Sequence, residues 1–256
     1  MNAASPRPVP RILAIAGSDS SGGAGIQADI KTITMLGGYA MTAITAVTAQ
    51  NSVGVQAVEM LPAHFVAIQI ESCLDDIGVD AVKIGMLGSP EVARTVAEKL
   101  DRMDVPIVFD PVMVATSGAV LADEATVAAF EILMGLATLT TPNVAELSAL
   151  GGTEAMARRR TAFLAKGGDS TGETITDTLH RHDLPPRSWS ASRIETRHTH
   201  GTGCTLSSGI ATLLGRGETL EDAITGARDF VRAVLRAAPG FGTGHGPMGH
   251  HAAGRG

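Results

Sequence analysis

Short apolar segments alternate along this chain with segments whose apolar residues recur at helical spacing, and this alternation restricts the possible folds more than any other feature. Residues 11–16 (RILAIA) contain a continuous apolar run, which is typical of a strand buried on both faces. Further strands are predicted at 43–48, 81–84, 107–109 and 138–140, and helices at 26–36, 63–76, 90–103, 123–133, 203–214 and 219–237. The pattern indicates an α/β fold with a mostly parallel sheet covered by helices on both faces.

The composition fits one domain. The chain has 256 residues, of which 44% are hydrophobic, and no Pro/Ser-rich linker or charge run divides it. We expect a single domain at 11–251, between flexible tails at 1–10 and 252–256.

Net charge and hydropathy limit the kinds of partner that the chain can bind and the cellular compartment in which it is expected. The formal net charge is −6, so the chain has no excess of cations to neutralise a nucleic-acid backbone or an acidic membrane surface. No apolar run approaches the roughly 18 residues of a membrane span, and the run near the start is too short for a secretory signal. The two cysteines, Cys73 and Cys204, are too few for a disulfide framework. These features predict a soluble, cytoplasmic protein that binds neither nucleic acid nor membrane.

Glycines and polar residues follow several of the predicted strands, in the turns 17–25, 85–88, 110–113 and 141–143. Because ligands of open parallel sheets bind at the carboxyl ends of the strands, these turns predict one site. The turn 17–25 (GSDSSGGAG) has no Lys or Arg and lacks the GxxxxGK[ST] pattern, which rejects a Walker-type phosphate loop. It either brings backbone close to a small ligand or is only a flexible strand–helix turn.

Carboxylates and a lysine near the strand ends suggest a site for phosphates and a cation. Asp110 directly follows a strand and is the kind of group that holds Mg²⁺. Asn143 and Glu146 lie on one face of a helix start, where they either reach the site or cap the helix. Lys166 offers a positive charge beside two glycines. Two acids together with a triphosphate can form a magnesium site.

The segment 201–204 (GTGC) lies where an irregular stretch becomes an apolar helix. Its N–H groups are predicted to bind an anion and to stabilise negative charge in a transition state. In that field we expect the pKa of Cys204 to be lowered. Two alternatives stay open: Cys204 is a small core residue, as predicted for Cys73, or it is an acyl-transfer nucleophile with His198 or His200 as base. The nucleophile is disfavoured because the sequence reveals no partner to orient a histidine.

Eight ordered segments between 11 and 251 together carry a family resemblance. They are AGSDSSGGAGIQADIKT (16–32), TAVTAQNSVGVQ (45–56), KIGML (83–87), DPVM (110–113), TPNVAE (141–146), AKGG (165–168), THGTGCTLSSGIA (199–211) and GHGPMGHH (244–251). The chain resembles the hydroxymethylpyrimidine/phosphomethylpyrimidine kinases of thiamine biosynthesis, which belong to the ribokinase-like superfamily. The resemblance implies a three-layer α/β/α sandwich with a central, mainly parallel sheet, and a homodimer. It also implies ATP- and Mg²⁺-dependent phosphorylation of 4-amino-5-hydroxymethyl-2-methylpyrimidine to its monophosphate and then to its diphosphate.

The resemblance further implies which residues hold the pyrimidine. Asp29 and Gln50 would hydrogen-bond its edge, since an acid and an amide supply the acceptors and the donor that an aminopyrimidine needs. The backbone of Gly17 would approach the ligand, and Met86 would lie against the flat ring.

On the nucleotide side, the resemblance implies roles at the other turns: Asp110 and Glu146 for Mg²⁺, and Asn143 and Lys166 for the nucleotide. Gly201, Thr202 and Gly203 would stabilise the migrating phosphoryl group. The thiolate of Cys204 would accept the proton of the alcohol, at a position where the wider superfamily usually has an aspartate.

Two departures from the family pattern carry expectations of their own. The segment between Asn143 and Lys166 is shorter, which predicts a frayed or repacked strand before Lys166. Thr243 replaces a commonly basic residue, so nucleotide contacts at that end are not carried over. Two other functions stay open: a pyridoxal kinase, against which Gln50 and the glycine-rich turn argue, and a protein that binds the pyrimidine without transferring phosphate.

Overall fold

Nine strands form a single sheet in the computed structural model, which describes residues 9–114, 118–168 and 171–253. The strands are β1 Arg11–Asp19, β2 Tyr39–Gln50, β3 Val55–Met60, β4 Ala81–Ile84, β5 Ile107–Phe109, β6 Leu139–Thr140, β7 Phe163–Ala165, β8 Thr174–Arg181 and β9 Leu184–Ser192. Their order in the sheet is β3-β2-β1-β4-β5-β6-β7-β8-β9. All pairs from β2 through β7 are parallel, whereas β3 at one edge and β8 and β9 at the other pair antiparallel. The prediction of a mainly parallel sheet is confirmed.

Helices cover both faces of the sheet. They are α1 Gly25–Met35, α2 Ala63–Asp76, α3 Pro90–Leu100, α4 Glu124–Leu136, α5 Val144–Ala149, α6 Gly152–Arg158, α7 Thr202–Gly215 and α8 Leu220–Arg236. Successive residues of β1 point to opposite faces, so Leu13 and Ile15 join a core with α2–α6 while Ile12 and Ala14 join a core with α1, α7 and α8. Both cores exclude water from β1, which explains its continuous apolar sequence. The result is the expected three-layer α/β/α sandwich.

Local sequence signals set several helix starts. The hydroxyl of Ser89 accepts from the backbone N–H of Val92, and Pro90 occupies the first helical position of α3, where its missing N–H costs nothing. Thr219 accepts in the same way from the backbone N–H of Asp222 and begins α8. These caps fix the residue at which each helix begins.

The segment between Asn143 and Lys166 is folded despite its short length. It contains α5, α6 and β7, and β7 pairs with β6 on one side and β8 on the other. Phe163 and Leu164 of β7 are buried. The prediction of a frayed strand before Lys166 is therefore wrong.

The carboxyl-terminal segment folds back onto the domain. A 3₁₀ helix spans His250–Ala252, and the buried Ala253 packs with Val234 and Met248. Residues 252 and 253 therefore belong to the fold rather than to the tail expected at 252–256, and the predicted tail residues 1–8 and 254–256 lie outside the described residues. Across the described ranges, no helix combines the length and apolar character that a bilayer crossing requires.

Candidate active site

A cavity of about 800 Å³ opens at the carboxyl ends of β1, β4, β5, β6 and β7. It brings together all the predicted site residues except Asp29: Gly17, Gln50, Met86, Asp110, Asn143, Glu146, Lys166, Gly201, Thr202, Gly203 and Cys204. The parallel sheet explains this convergence, because its strand ends meet along one edge.

An ion-pair cluster lies on the floor of the cavity. Asp110, which follows β5, accepts at Oδ1 from Lys166 Nζ at 2.7 Å and from the hydroxyl of Thr141 at 2.9 Å. Glu146 Oε2 lies 3.9 Å from the same Nζ. Burial and the neighbouring Asp110 raise the pKa of Glu146 to about 7, and the charge of Lys166 opposes this rise without cancelling it. The floor therefore has a carboxyl group that gains or loses its proton near neutral pH.

Asn143 and Glu146 also cap α5. Asn143 Oδ1 accepts from the backbone N–H of Glu146 at 2.8 Å, and Glu146 Oε2 accepts from the backbone N–H of Asn143 at 2.8 Å. Asn143 and Glu146 can therefore both cap α5 and contribute to the site, because the capped helix start itself forms part of the cavity wall.

The first turn of α7 forms the opposite wall. Gly201 precedes the helix with φ +88°, and a Cβ at this position would lie 2.0 Å from the carbonyl oxygen of Gly23. A Cβ at Gly203 would lie 3.3 Å from Asp110 Oδ2 and 3.4 Å from Lys166 Nζ. Glycines at these positions allow the helix start to approach both the glycine-rich turn and the ion-pair cluster. Helix geometry leaves the N–H groups of this first turn without an intrahelical acceptor, as anion binding requires.

The prediction of a lowered pKa for Cys204 is wrong. Burial raises the pKa of its thiol to about 11, and the charges of Asp29 and Asp110 add to this effect. The opposing charge of Lys83 does not compensate. Cys204 lines the cavity with part of its surface exposed, so it is a protonated thiol at the wall rather than an activated thiolate at neutral pH.

Asp29 lies behind the cavity wall, which corrects the prediction that it hydrogen-bonds a ligand edge. Its side chain is fully buried, and Lys83 Nζ donates to both carboxylate oxygens at 2.9 Å. The hydroxyl of Ser208, on α7, donates to the same carboxylate. Burial alone would lower the pKa of Lys83, but the negative charges of Asp29 and, after it, Asp110 outweigh burial and hold this pKa above its ordinary value. This buried pair supports α7 from below and places a fixed ammonium near Cys204.

Asp19 and His200 line the cavity although the sequence assigned Asp19 no role. His200 Nε2 lies 2.8 Å from Asp19 Oδ2, and both side chains are buried. His200 therefore does have an orienting carboxylate, which the sequence did not reveal. The sequence feature that could have indicated a role for Asp19 is the presence of an acidic residue inside a glycine-rich turn.

The two carboxylates of the floor suit a metal ion that arrives with a nucleotide. Within the described part of the chain, no three His, Cys, Asp or Glu side chains are placed to hold a metal by themselves. Mg²⁺ commonly takes one or two carboxylates and completes its shell with phosphate oxygens and water. Asp110 and Glu146 provide that minimum.

Comparisons with known proteins agree on the fold and on phosphoryl transfer. The family model described as phosphomethylpyrimidine kinase matches residues 19–249. The hydroxymethylpyrimidine/phosphomethylpyrimidine kinase of Streptomyces coelicolor is 44% identical over 258 residues, which cover 94% of each chain. The solved phosphomethylpyrimidine kinase of Clostridium difficile has a TM-score of 0.74 at 36% identity and covers 87% of this chain and 98% of its own. The pyridoxal kinase of Staphylococcus aureus, in complex with AMP-PCP and pyridoxal, has a TM-score of 0.86 at 28% identity and covers 96% and 95%.

Proposed function

The chain belongs to the phosphomethylpyrimidine kinase family, and we propose that it transfers the γ-phosphoryl group of ATP to 4-amino-5-hydroxymethyl-2-methylpyrimidine and then to the resulting monophosphate. The observation that carries this proposal is the cavity itself. It has a polar amide at Gln50 on one side, the first turn of α7 on another, and two carboxylates with Lys166 on its floor. One cavity can therefore hold a ring alcohol and the terminal phosphate of a nucleotide together.

On the nucleotide side, the first turn of α7 and Lys166 stabilise the negative charge of the phosphoryl group during its transfer. The alcohol oxygen forms a bond to the γ-phosphorus while the bond to the β-phosphate oxygen breaks, and ADP leaves. Most of the catalysis in such transfers comes from positioning and electrostatics. Asp110 and Glu146 would hold Mg²⁺ on the cavity floor, and the ion would supply further charge neutralisation when bound.

We assign Cys204 to the wall next to the reacting alcohol. A thiol with a pKa of about 11 is almost fully protonated at neutral pH, so its role as base requires the proton to be accepted during transfer. The nearby ammonium of Lys83 favours the thiolate that would result. The base role stays a prediction, and it concerns only the hydroxyl proton.

On the substrate side, Gly17, Met86 and Gln50 offer a slot for a flat ring. Met86 Sδ lies 3.0 Å from the position a Cβ would take at Gly17, so only glycine leaves the backbone exposed beside the sulfur. Gln50 supplies both a donor and an acceptor for the ring edge. These features favour the aminopyrimidine over pyridoxal as substrate.

The test is incubation with ATP, Mg²⁺ and the hydroxymethylpyrimidine, with pyridoxal in a parallel reaction and mass detection of the phosphorylated products. We expect the pyrimidine monophosphate first and the diphosphate later. A strong preference for pyridoxal would refute the substrate assignment. Tight pyrimidine binding without ADP formation would instead identify a protein that binds but does not transfer.

We also propose a cytoplasmic homodimer. Large apolar side chains are exposed on β2 and α2: Val47 at 46%, Phe65 at 47% and Ile68 at 51%. Association that covers β2 and α2 would bury them. Light scattering of the native chain and of Phe65→Glu tests it, and a native monomer at micromolar concentration would refute it. Cell fractionation tests the compartment.

A further inference from the structure

The carboxamide of Gln50 lies between two groups whose protons determine its orientation. Its Oε1 and Nε2 positions lie 3.1 Å from Thr48 Oγ1 and 3.2 Å from His200 Nε2, respectively. The oxygen and the nitrogen of a carboxamide have nearly the same shape, and a rotation of 180° exchanges them. The surrounding donors and acceptors therefore decide which atom faces which neighbour.

On the Thr48 side, a single hydroxyl proton is available. Thr48 Oγ1 lies 3.0 Å from the carbonyl oxygen of Ser18, which can only accept. When the hydroxyl donates to Ser18, it can only accept from Gln50. The atom of Gln50 that faces Thr48 must then be the nitrogen.

On the His200 side, the proton is required by Asp19. The carboxylate of Asp19 accepts at Oδ1 from the backbone N–H and the hydroxyl of Ser21, and at Oδ2 from the backbone N–H groups of Gly23 and Ala24. Burial favours its neutral form, but the hydrogen bonds from His200 and Ser21 outweigh burial and lower the pKa of Asp19 to about 2. An ionised Asp19 at 2.8 Å requires that His200 Nε2 bears a proton. The atom of Gln50 that faces this N–H must then be the oxygen.

The His200 side requires this orientation, and the Thr48 side accommodates it when the hydroxyl donates to Ser18. We propose that His200, held by Asp19, is a positioning residue that keeps the Gln50 carboxamide in one orientation, with Nε2 towards Thr48 and Oε1 towards His200. His200 thereby sets the order in which the cavity offers a donor and an acceptor to the edge of a ring.

This order favours one class of substrate, and here the inference rests on the proposed function. In the fixed orientation, Gln50 keeps one free N–H on Nε2 and one free lone pair on Oε1. An aromatic ring that pairs an amino group with a neighbouring ring nitrogen fits both, since the amino group donates to Oε1 and the ring nitrogen accepts from Nε2. A ring with an acceptor in place of the amino group would face the lone pair of Oε1 and be rejected.

The experiment is a double-mutant cycle on the full chain, read as the calorimetric Kd for the hydroxymethylpyrimidine. His200→Phe keeps a ring but removes the N–H, and we expect it to weaken binding about tenfold because Gln50 then also samples the wrong orientation. His200→Gln can return an N–H to the same place and is expected to stay within about threefold of the native Kd. In a Gln50→Ala background, His200→Phe should change the Kd less than about twofold.

An equal tenfold effect of His200→Phe in the Gln50→Ala background would overturn the inference, because His200 would then act by packing alone. Thr48→Val, with Thr48→Ser as its matched control, gives a second cycle if the histidine variant does not fold. Only the valine variant should weaken binding, and only when Gln50 is present. Product formation by the native chain is scored separately: binding without phosphorylation refutes the proposed kinase while the cycle still decides the role of His200. No binding to the native chain would refute both.

Discussion

Replacing Lys83 by methionine tests how the buried charge beneath α7 is balanced. Lys83 is fully buried in β4, where Nζ donates to both oxygens of Asp29. Methionine has a similar length and no charge. Lys83→Met therefore leaves the Asp29 carboxylate with the hydroxyl of Ser208 as its side-chain partner among the residues described.

The expected cost follows from the loss of one partner of a buried ion pair, which is about 3–5 kcal/mol. For a protein of this size, each kcal/mol lowers the melting temperature by roughly 2–4 °C, so the predicted drop is about 6–20 °C. Differential scanning calorimetry of the native chain and the variant measures it. Activity should fall too, because the first turn of α7 is the one proposed to face the phosphates.

The pH dependence and a double variant make the reasoning refutable. Burial holds the pKa of Asp29 above its ordinary value even in the native chain, and removal of Lys83 raises this pKa further. The stability deficit of Lys83→Met should therefore grow as pH rises from the native pKa of Asp29 to its higher pKa in the variant, and it should be smaller at pH 5 than at pH 8. Lys83→Met with Asp29→Asn should recover most of the loss. A drop below about 2 °C for the single variant, or additive losses in the double variant, would refute the account.

Three further predictions concern the cavity. Cys204→Ser should lower kcat by about 10²–10⁴ with little change in KM if the thiol accepts the alcohol proton; a kcat within threefold of native would exclude that role. Since the pKa of Glu146 is about 7, binding of Mg²⁺ with ADP should tighten from pH 6 to pH 8 as the carboxyl ionises, and calorimetry should find this slope absent in Glu146→Gln. Gly201→Ala should destabilise more than Gly217→Ala, because both have φ +88° but only Gly201 has an atom, the Gly23 oxygen, in the way of a Cβ. Equal melting temperatures for these two variants would contradict the steric argument.

The sequence predicted those helices and strands whose burial is reflected in the apolar pattern of their own residues. β1 is continuously apolar because two cores cover it, and α7, predicted at 203–214, spans Thr202–Gly215. The missed strands lie at the edges of the sheet. β9 contains two consecutive prolines and is mostly exposed, so its sequence lacks the alternation that indicates a strand. Its pairing with β8 fixes it instead, and a pairing between exposed strands leaves little trace in sequence.

The site was predictable to the extent that topology alone places strand ends together. What the sequence could not give was the direction of side chains and the charges brought in by distant segments. The family resemblance implies that Asp29 hydrogen-bonds the pyrimidine edge, yet the face of α1 that bears Asp29 points into the core towards Lys83. The helix start at Cys204 was visible, but burial and the charges of Asp29 and Asp110 that raise its pKa were not. Asp19 and His200 are 181 positions apart, and only the fold joins them.

The pairing of charges on the cavity floor implies that Mg²⁺ and the nucleotide should bind together. Lys166 and Asp110 already neutralise each other at 2.7 Å, so the cost of removing them from water has been met by folding. If a phosphate takes Lys166 as its partner, Asp110 would lose its cation, and Mg²⁺ held at Asp110 would restore the balance of charge. The exchange leaves no buried charge unpaired. Either ligand alone would leave one carboxylate, phosphate or ammonium uncompensated, and this asymmetry favours the magnesium complex of the nucleotide over its separate components.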